Sequence, residues 1–142
     1  MSAYDLPGLE RAARVRKLPG FKLIIAGGRD IDTSVARKLI REHWKAVCEK
    51  MGKKPDYIIS GGAKGVDLAG ELMAKKLTGR EAIVFEANWD LLGKSAGPSR
   101  NLDMASVAHG LFLIWDGRSR GSGHMLSCME IRDRPIYEIE IS

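Results

Sequence analysis

Several common sequence features are missing from this chain of 142 residues, and each absence excludes a class of protein. No apolar run approaches the roughly 20 residues that cross a bilayer, so the pattern predicts no membrane span and no membrane partner. The N-terminus has no uninterrupted apolar segment, and we therefore expect no secretory signal. The two cysteines, Cys48 and Cys128, are far apart and form no C-x-x-C pair. Reduced thiols in a cytoplasmic protein are the simplest interpretation.

Two standard nucleotide-binding motifs are also absent. Gly93-Lys94-Ser95 resembles the end of a P-loop, but Asn88 stands where that motif needs its first glycine. Gly121-Ser122-Gly123 begins a dinucleotide fingerprint, but Leu126 replaces the last glycine. His43 and His109 have no metal-ligand spacing with each other or with Cys48 or Cys128. We therefore expect no metal ion, and the sequence indicates no cofactor.

The composition is typical of one globular domain, with 44% hydrophobic and 29% charged residues. The formal net charge is +5 and the sequence pI is near 9.4, which suits an anionic ligand such as a nucleotide or a nucleic acid. Part of the charge lies near the N-terminus, at Arg11, Arg14, Arg16 and Lys17. This segment is either a solvated surface helix or an arm that binds nucleic acid.

Apolar runs alternate with helical patterns along most of the chain. Runs typical of strands occur near residues 21–26, 56–60, 81–85, 110–115 and 135–141. Segments with helical character lie at about 33–51 and 65–77, from Pro98 to near Ala108, and after Gly123. This order predicts a single Rossmann-like, doubly wound α/β domain with about five mainly parallel strands and helices on both faces. We assign the domain to residues 20–142, after a basic extension at 1–19 that contains a short helix around Leu9 to Lys17.

Two of the predicted helices have an apolar side. In the helix at 33–51, Asp32 or Thr33 is a candidate N-cap and Gly52 a candidate end. Its apolar side comprises Val35, Leu39, Trp44 (or Ile40), Val47 and Met51. The apolar side of the next helix comprises Val66, Ala69, Met73 and Leu77.

Three predicted strands end in polar loops that are rich in glycine. The loops are Gly27-Gly28-Arg29-Asp30, Ser60-Gly61-Gly62-Ala63-Lys64-Gly65-Val66-Asp67 and Asp116-Gly117-Arg118-Ser119-Arg120-Gly121-Ser122-Gly123. In a doubly wound sheet such strand ends meet at one edge, where ligands bind. Backbone amides at a helix start, together with the helix dipole, favour an anion there. With the segment 93–101, these loops predict a phosphate-binding rim.

Four blocks of this rim occur in a recognisable order. They are Gly27-Gly28-Arg29-Asp30; Ser60-Gly61-Gly62-Ala63-Lys64-Gly65-Val66-Asp67; Trp89 with Gly93-Lys94 and Gly97-Pro98-x-Arg100-Asn101-x-x-Met104; and Trp115-Asp116-Gly117-x-Ser119-Arg120-Gly121-Ser122. Together, over about residues 21–131, they resemble the YspA-like branch of the SLOG superfamily. That superfamily unites the "lonely guy" (LOG) phosphoribohydrolases with the DNA-processing protein DprA. The resemblance implies a Rossmann-like fold that binds a nucleotide or nucleotide derivative, and a homodimer.

The resemblance also implies catalytic residues, of which one is missing. Arg100-Asn101-Leu102-Asp103-Met104 matches the R-K-x-x-M segment of the LOG enzymes with one substitution. The catalytic glutamate of their P-G-G-x-G-T-x-x-E motif is not matched, because His124 or Met125 stands in its place. A hydrolase would need another acid, and the candidates are Asp67, Glu71, Asp90 and Asp103. His124 is able to protonate a leaving base, so the candidate catalytic residues are Arg100, Asp67 and His124.

The candidate ligand-binding residues have structural alternatives that the sequence leaves open. Asp30 and Asp67 are equally suited to stabilising a helix start, Arg100 to pairing with a surface carboxylate, and Trp89 to filling the edge of the core. The full set is Gly27, Gly28, Arg29, Asp30, Ser60, Gly61, Gly62, Lys64, Gly65, Trp89, Lys94, Gly97, Pro98, Asn101, Ser119, Gly121 and Ser122.

Three functions are consistent with these observations. The leading hypothesis is binding of a nucleoside phosphate or an ADP-ribose-like compound, in a sensor or processing protein. The second is a phosphoribohydrolase-like enzyme that cleaves the N-glycosidic bond of a nucleoside monophosphate. The third is DNA binding related to DprA, although the sequence has no dense alternation of aromatic with basic residues that would form a stacking groove.

Overall fold

Five parallel strands form the centre of the computed structural model, which describes residues 6–141. The strands are β1 (Lys22–Gly27), β2 (Tyr57–Ser60), β3 (Ile83–Val84), β4 (Gly110–Trp115) and β5 (Ile136–Glu140). Their order across the sheet is β3-β2-β1-β4-β5, and every pairing is parallel. The prediction of a doubly wound α/β domain is confirmed.

Helices cover both faces of this sheet. They are α1 (Leu6–Arg16), α2 (Thr33–Met51), α3 (Val66–Thr78), α4 (Trp89–Leu92), α5 (Ala96–Val107) and α6 (Arg120–Ile131), with a 3-10 helix at Gly93–Ser95. Buried side chains of α2 and α3 share one core cluster, and those of α1, α5 and α6 share the other. None of the helices within residues 6–141 is long and apolar enough to cross a membrane.

The central strands are buried on both faces because their side chains alternate between the two clusters. Leu23 and Ile25 of β1 pack with α2 and α3, whereas Ile24 and Ala26 pack with α1, α5 and α6. Continuous burial of this kind is typical of the inner strands of a parallel sheet and explains their unbroken apolar runs.

The apolar side of α2 differs by one position from the prediction. Val35 is 47% exposed and Ala36 is buried in its stead, whereas Ile40, Val47 and Met51 are buried as predicted, with Leu39 and Trp44 partly buried against the same cluster. These four buried positions follow the helical period more closely than a stripe that begins at Val35. The apolar side of α3 is as predicted, since Val66, Ala69, Met73 and Leu77 are all buried.

Helix ends follow the local sequence signals in part. Asp32 caps α2 by accepting hydrogen bonds from the amides of Ser34 and Val35, and Gly52 ends the helix with a left-handed backbone. In contrast, α6 begins at Arg120 and not after Gly123, so its glycines lie in the first turn. The cost of glycine in a helix is tolerated there because the first turn has few intrahelical bonds to lose.

The strand order has its reversal point between β1 and β4. From β1 the chain builds outward through β2 and β3 on one side, and then returns to add β4 and β5 on the other. The loops that leave β1 and β4 therefore diverge to opposite faces, and a crevice opens between them at the carboxyl edge of the sheet.

Candidate functional site

A cleft with a volume of about 820 Å³ occupies this crevice, and we call it the switch-point cleft. The loops after β1, β2 and β4 form its walls, together with the segment that runs from Glu86 into α5. The sequence-predicted residues that line it are Gly27, Gly28, Arg29, Asp30, Gly61, Gly62, Asp67, Trp89, Lys94, Gly97, Pro98, Arg100, Asn101, Ser119, Gly121, Ser122 and His124. The fold thus brings four separate blocks of sequence to one site.

The loop after β1 is shaped by close backbone packing. The amide of Gly28 donates to the carbonyl oxygen of Ile114 on β4 over 3.0 Å. A Cβ atom at Gly27 would overlap that same oxygen, so only glycine fits the end of this strand. The two strands on either side of the reversal point are therefore held together where the cleft begins.

The loop after β2 is held from below by Ser60. The amide of Gly62 donates to Ser60 Oγ over 3.2 Å, and this hydroxyl donates to Glu71 Oε2 over 2.6 Å. Gly62 has a φ of +77°, a left-handed conformation that side chains disfavour. Ser60 is fully buried and lies outside the cleft walls, so it supports the loop from inside the domain.

Asp67 brings a buried carboxyl group to the floor of the cleft. It is 5% exposed, and its Oδ2 accepts a hydrogen bond from the amide of Ala63 over 3.2 Å. Burial raises the pKa of Asp67 from its ordinary 3.8 to about 6, although the Ala63 amide and the Arg100 guanidinium act in the opposite direction. The carboxyl group therefore changes charge close to neutral pH.

Arg100 and Asn101 connect two of the glycine loops. Arg100 Nη1 donates to the carbonyl oxygen of Gly61 over 2.6 Å, and Arg100 Nε donates to Asn101 Oδ1 over 3.2 Å. Asn101 Nδ2 donates to the carbonyl oxygen of Gly121 over 3.3 Å and to His124 Nδ1 over 3.1 Å. Two adjacent residues of α5 thus hold the loop after β2 and the start of α6 in a fixed relation.

His124 takes a defined tautomer from this arrangement. Because its Nδ1 accepts from an amide that only donates, the ring proton lies on Nε2. The sulfur of Cys128 lies 3.6 Å from that Nε2, one helical turn further along α6. Burial raises the pKa of Cys128, so the thiol stays protonated beside the ring.

The start of α6 is fixed by Asp116 at the end of β4. Its Oδ1 accepts hydrogen bonds from the amides of Arg118 and Ser119 and from the Ser119 hydroxyl, at 2.8–2.9 Å. These bonds lower the pKa of Asp116 to about 2. The side chain of Ser119 makes no capping bond to α6, so the first turn of this helix enters the cleft wall without a side-chain cap.

Four cationic side chains, Arg29, Lys94, Arg100 and Arg120, line the cleft against three carboxyl groups. Arg29, Lys94 and Arg120 are exposed at its rim. The carboxylates in the walls belong to Asp30, Asp67 and Glu86, of which Asp67 is buried. The indole of Trp89 is 57% exposed at the same rim, where a flat ring has room to stack on it.

Two charged residues of the walls, Glu86 and Arg120, were not among the candidate ligand-binding residues, although Arg120 belongs to the fourth block of the resemblance. Glu86 lies in the loop after β3, and Arg120 is the first residue of α6, directly after the loop that leaves β4. Their positions just beyond strand ends were the available signal. Of the small or apolar wall positions, Ala63 and Met104 lie in the blocks of the resemblance but were not among the candidate residues, and Ala87 carried no signal of its own.

Lys64 and Gly65 were expected to contact the ligand but lie outside the walls. Lys64 is exposed, beyond the lining of the cleft. Gly65 is buried with a φ of +72°, and a Cβ atom there would overlap the carbonyl oxygen of Gly28. Its conformation is required because it packs the loop after β2 on the loop after β1.

The acids considered for catalysis are not equivalent in the structure. Asp67 lines the cleft, whereas Glu71, Asp90 and Asp103 are outside its lining. Glu71 is engaged below the cleft by the Ser60 hydroxyl. Within residues 6–141, no group of three His, Cys, Asp or Glu side chains is placed to hold a metal ion.

Comparison with known proteins places the fold. A scan against protein-family models and a search of curated proteins gave no match. Among solved structures, DNA processing protein A (DprA) from Streptococcus pneumoniae is similar, with a TM-score of 0.63 and 20% identity over 90% of this chain. The DNA processing protein A from Helicobacter pylori, a structure that concerns the single-stranded DNA binding mode of that protein, has a TM-score of 0.61 and 18% identity over 91% of this chain.

These similarities establish a shared fold. The chain spans 52% of the Streptococcus pneumoniae structure and 69% of the Helicobacter pylori structure. It is therefore similar to the part of DNA processing protein A that has this α/β architecture, which is the type of fold that the resemblance to the SLOG superfamily implied.

Proposed function

We propose that the switch-point cleft binds a nucleotide unit through its phosphate group. The observation that carries this proposal is the convergence of the glycine loops after β1 and β2 with the uncapped first turn of α6. Loops of this kind allow a phosphate to approach the backbone, and the helix start favours its charge. Arg29, Lys94 and Arg120 at the rim add charge that complements an anion.

The comparisons favour single-stranded DNA as the molecule that supplies this nucleotide unit. One similar structure is described by the way that its protein binds single-stranded DNA. The net charge of +5 supports the same partner, since a basic surface attracts a phosphodiester chain. The exposed ring of Trp89 offers a stacking platform for a base that has left its helix.

A free nucleotide or an ADP-ribose-like compound is the second candidate, for a sensor or processing protein. The volume of about 820 Å³ is in the range of small-molecule sites. The carboxylates of Asp30 and Glu86 are suited to accept hydrogen bonds from ribose hydroxyls, which DNA lacks at the 2′ position. These two acids are the specific observation in favour of a ribonucleotide.

Cleavage of an N-glycosidic bond would need a carboxylate close to the developing positive charge on the ribose. Asp67 and His124 are both in the walls, and they are the residues to which we assign such a reaction. With its Nδ1 accepting from Asn101, the His124 ring is neutral, so to protonate a leaving base through Nε2 it must first take up a second proton on Nδ1 and give up this hydrogen bond.

Binding by fluorescence anisotropy separates the two main candidates. We expect a labelled thymidine oligonucleotide to bind at low salt and to dissociate steeply as salt is added. Unlabelled single strands should compete better than the matched duplex and better than AMP or ADP-ribose. Tight competition by a ribonucleotide alone would make the free nucleotide the ligand, and chromatography of that mixture would show whether a base is released. Failure of all these ligands to bind at millimolar concentration would refute the proposal.

A further inference from the structure

A second and smaller cavity adjoins the switch-point cleft. Its volume is about 220 Å³, and we call it the α1 cavity because Pro7, Gly8 and Arg11 of α1 form one of its sides. The other side is the loop Glu86-Ala87-Asn88. Glu86 and Ala87 also line the switch-point cleft, so this loop separates the two cavities as a shared ridge.

The position of α1 is fixed by the core of the domain. Ala12 and Val15 are 3% and 5% exposed and belong to the cluster that also contains buried residues of α5. Arg16 adds a hydrogen bond to Ser106 Oγ on α5 at 3.1 Å. The α1 cavity is therefore bounded by an anchored helix, and its shape does not depend on a free arm.

Arg11 is the cation of this cavity, and an aromatic ring holds it in place. Its guanidinium carbon lies 5.8 Å from the centroid of the Phe85 ring, which is 1% exposed. A cation over a ring face is held by the ring's quadrupole, while its N–H groups remain available at the edges. Arg11 takes part in none of the ion pairs recorded for residues 6–141.

Charge alternates along the path from the cleft to the α1 cavity. Cations are in excess in the walls of the cleft, Glu86 lies on the ridge, and Arg11 lies beyond it. A carboxylate repels phosphate, whereas an arginine binds it with several hydrogen bonds. A ligand that follows this path should therefore place phosphates on the two sides of the ridge and a sugar or base over it.

We propose that the α1 cavity is a second phosphate subsite, at which Arg11 binds a phosphodiester of a single-stranded nucleic acid whose neighbouring nucleotide occupies the switch-point cleft. This inference rests on the proposed function. A mononucleotide fills only the cleft, whereas a linked chain reaches both cavities. Part of the basic segment that precedes the sheet thus belongs to the binding site.

Binding of thymidine ligands of two lengths tests this subsite. The ligands are thymidine monophosphate and an oligonucleotide of about ten nucleotides, a length within the usual site sizes for single strands. We expect Arg11→Ala to weaken binding of the oligonucleotide about tenfold, as for the loss of one charged phosphate contact, and to leave the monophosphate unaffected. The second variant is Arg11→Gln, because the glutamine side chain is polar and uncharged and still covers the Phe85 ring.

Arg14→Ala is the matched control, since Arg14 is an exposed arginine of the same helix that does not line the cavity. An equal loss of oligonucleotide binding in Arg14→Ala and Arg11→Ala would overturn the subsite and leave the cleft proposal standing. So would equal losses for the two ligand lengths in Arg11→Ala. If neither ligand binds the wild-type protein, the proposed function itself fails.

Discussion

Arg100 donates a hydrogen bond from Nη1 to the carbonyl oxygen of Gly61 at 2.6 Å and so joins α5 to the loop after β2. The next residue, Asn101, reaches the carbonyl oxygen of Gly121 at the start of α6. The spacing of the two glycine loops therefore depends on one dipeptide. Arg100 forms part of the wall in addition to contributing charge to it.

Replacement of Arg100 should destabilise the domain as well as weaken binding. Arg100→Ala removes the bond to Gly61 and leaves the buried carboxyl group of Asp67 without its nearby cation. We expect the free energy of unfolding to fall by about 2 kcal/mol, measured by urea denaturation. Arg29→Ala is the control, because Arg29 is an exposed cation of the same cleft. Equal stabilities for the two variants would contradict a structural role for Arg100.

The stability of the protein should depend on pH through Asp67. Its pKa is raised to about 6 in the folded state, so the folded protein binds this proton more tightly than the unfolded chain does. The resulting stabilisation is present at low pH, begins to disappear as pH rises past the unfolded value of 3.8, and is lost once pH has passed about 6.

Asp67→Asn removes this dependence, since asparagine does not titrate and its oxygen can still accept from the Ala63 amide. Between pH 4 and pH 7 we expect the wild type to lose about 2–3 kcal/mol more than the variant does, in urea unfolding at each pH. Parallel curves for the two proteins would show that the carboxyl group of Asp67 is not perturbed as described.

Two glycines of the cleft should respond differently to a methyl group. Gly27→Ala places a Cβ atom on the carbonyl oxygen of Ile114, so we expect destabilisation of about 1–3 kcal/mol or more. At Gly121 a Cβ atom would have no heavy atom within 4 Å, and Gly121→Ala should fold with unchanged or slightly greater stability. The melting temperatures of the two variants test this contrast. Equal melting temperatures would contradict it.

Arg120 should contribute to nucleic-acid binding, although it was not among the candidate ligand-binding residues. We expect Arg120→Ala to weaken single-stranded DNA binding by about tenfold and to reduce the salt slope by about 1. Arg118→Ala provides the comparison, because Arg118 is an exposed arginine two residues away that does not line the cleft. Identical losses in the two variants would mean that general charge, and not the cleft, binds the strand.

Much of the fold was predictable because strands and long helices repeat a local signal. The apolar runs that become β1 and β4 are buried on both faces, and α2 begins and ends at its predicted signals, Asp32 and Gly52. The short helix α4 was missed because its four residues are too few to show a period. One position of the apolar side of α2 was wrong, because Val35 and Ala36 fit similar stripes.

The site was predictable only as a collection of loops. Strand ends and glycines indicated which loops meet, since parallel strands bring their carboxyl ends to one edge. The bond between Arg100 and Gly61 was not predictable, because it joins residues 39 positions apart through side-chain geometry. The burial that perturbs Asp67, and the ridge that Glu86 forms beside Arg11, likewise exist only once the chain has folded.

The most direct test is to observe backbone amides while the ligand binds. In a nuclear magnetic resonance titration of the isotope-labelled protein with a thymidine oligonucleotide, we expect the amide signals of Gly28, Gly61, Gly62, Gly121 and Ser122 to shift together and to saturate at one ligand concentration. The opposite result is saturable binding in which these five signals stay unchanged and the signals of a distant surface, such as the exposed side of α2, shift. That result would contradict the assignment of the switch-point cleft.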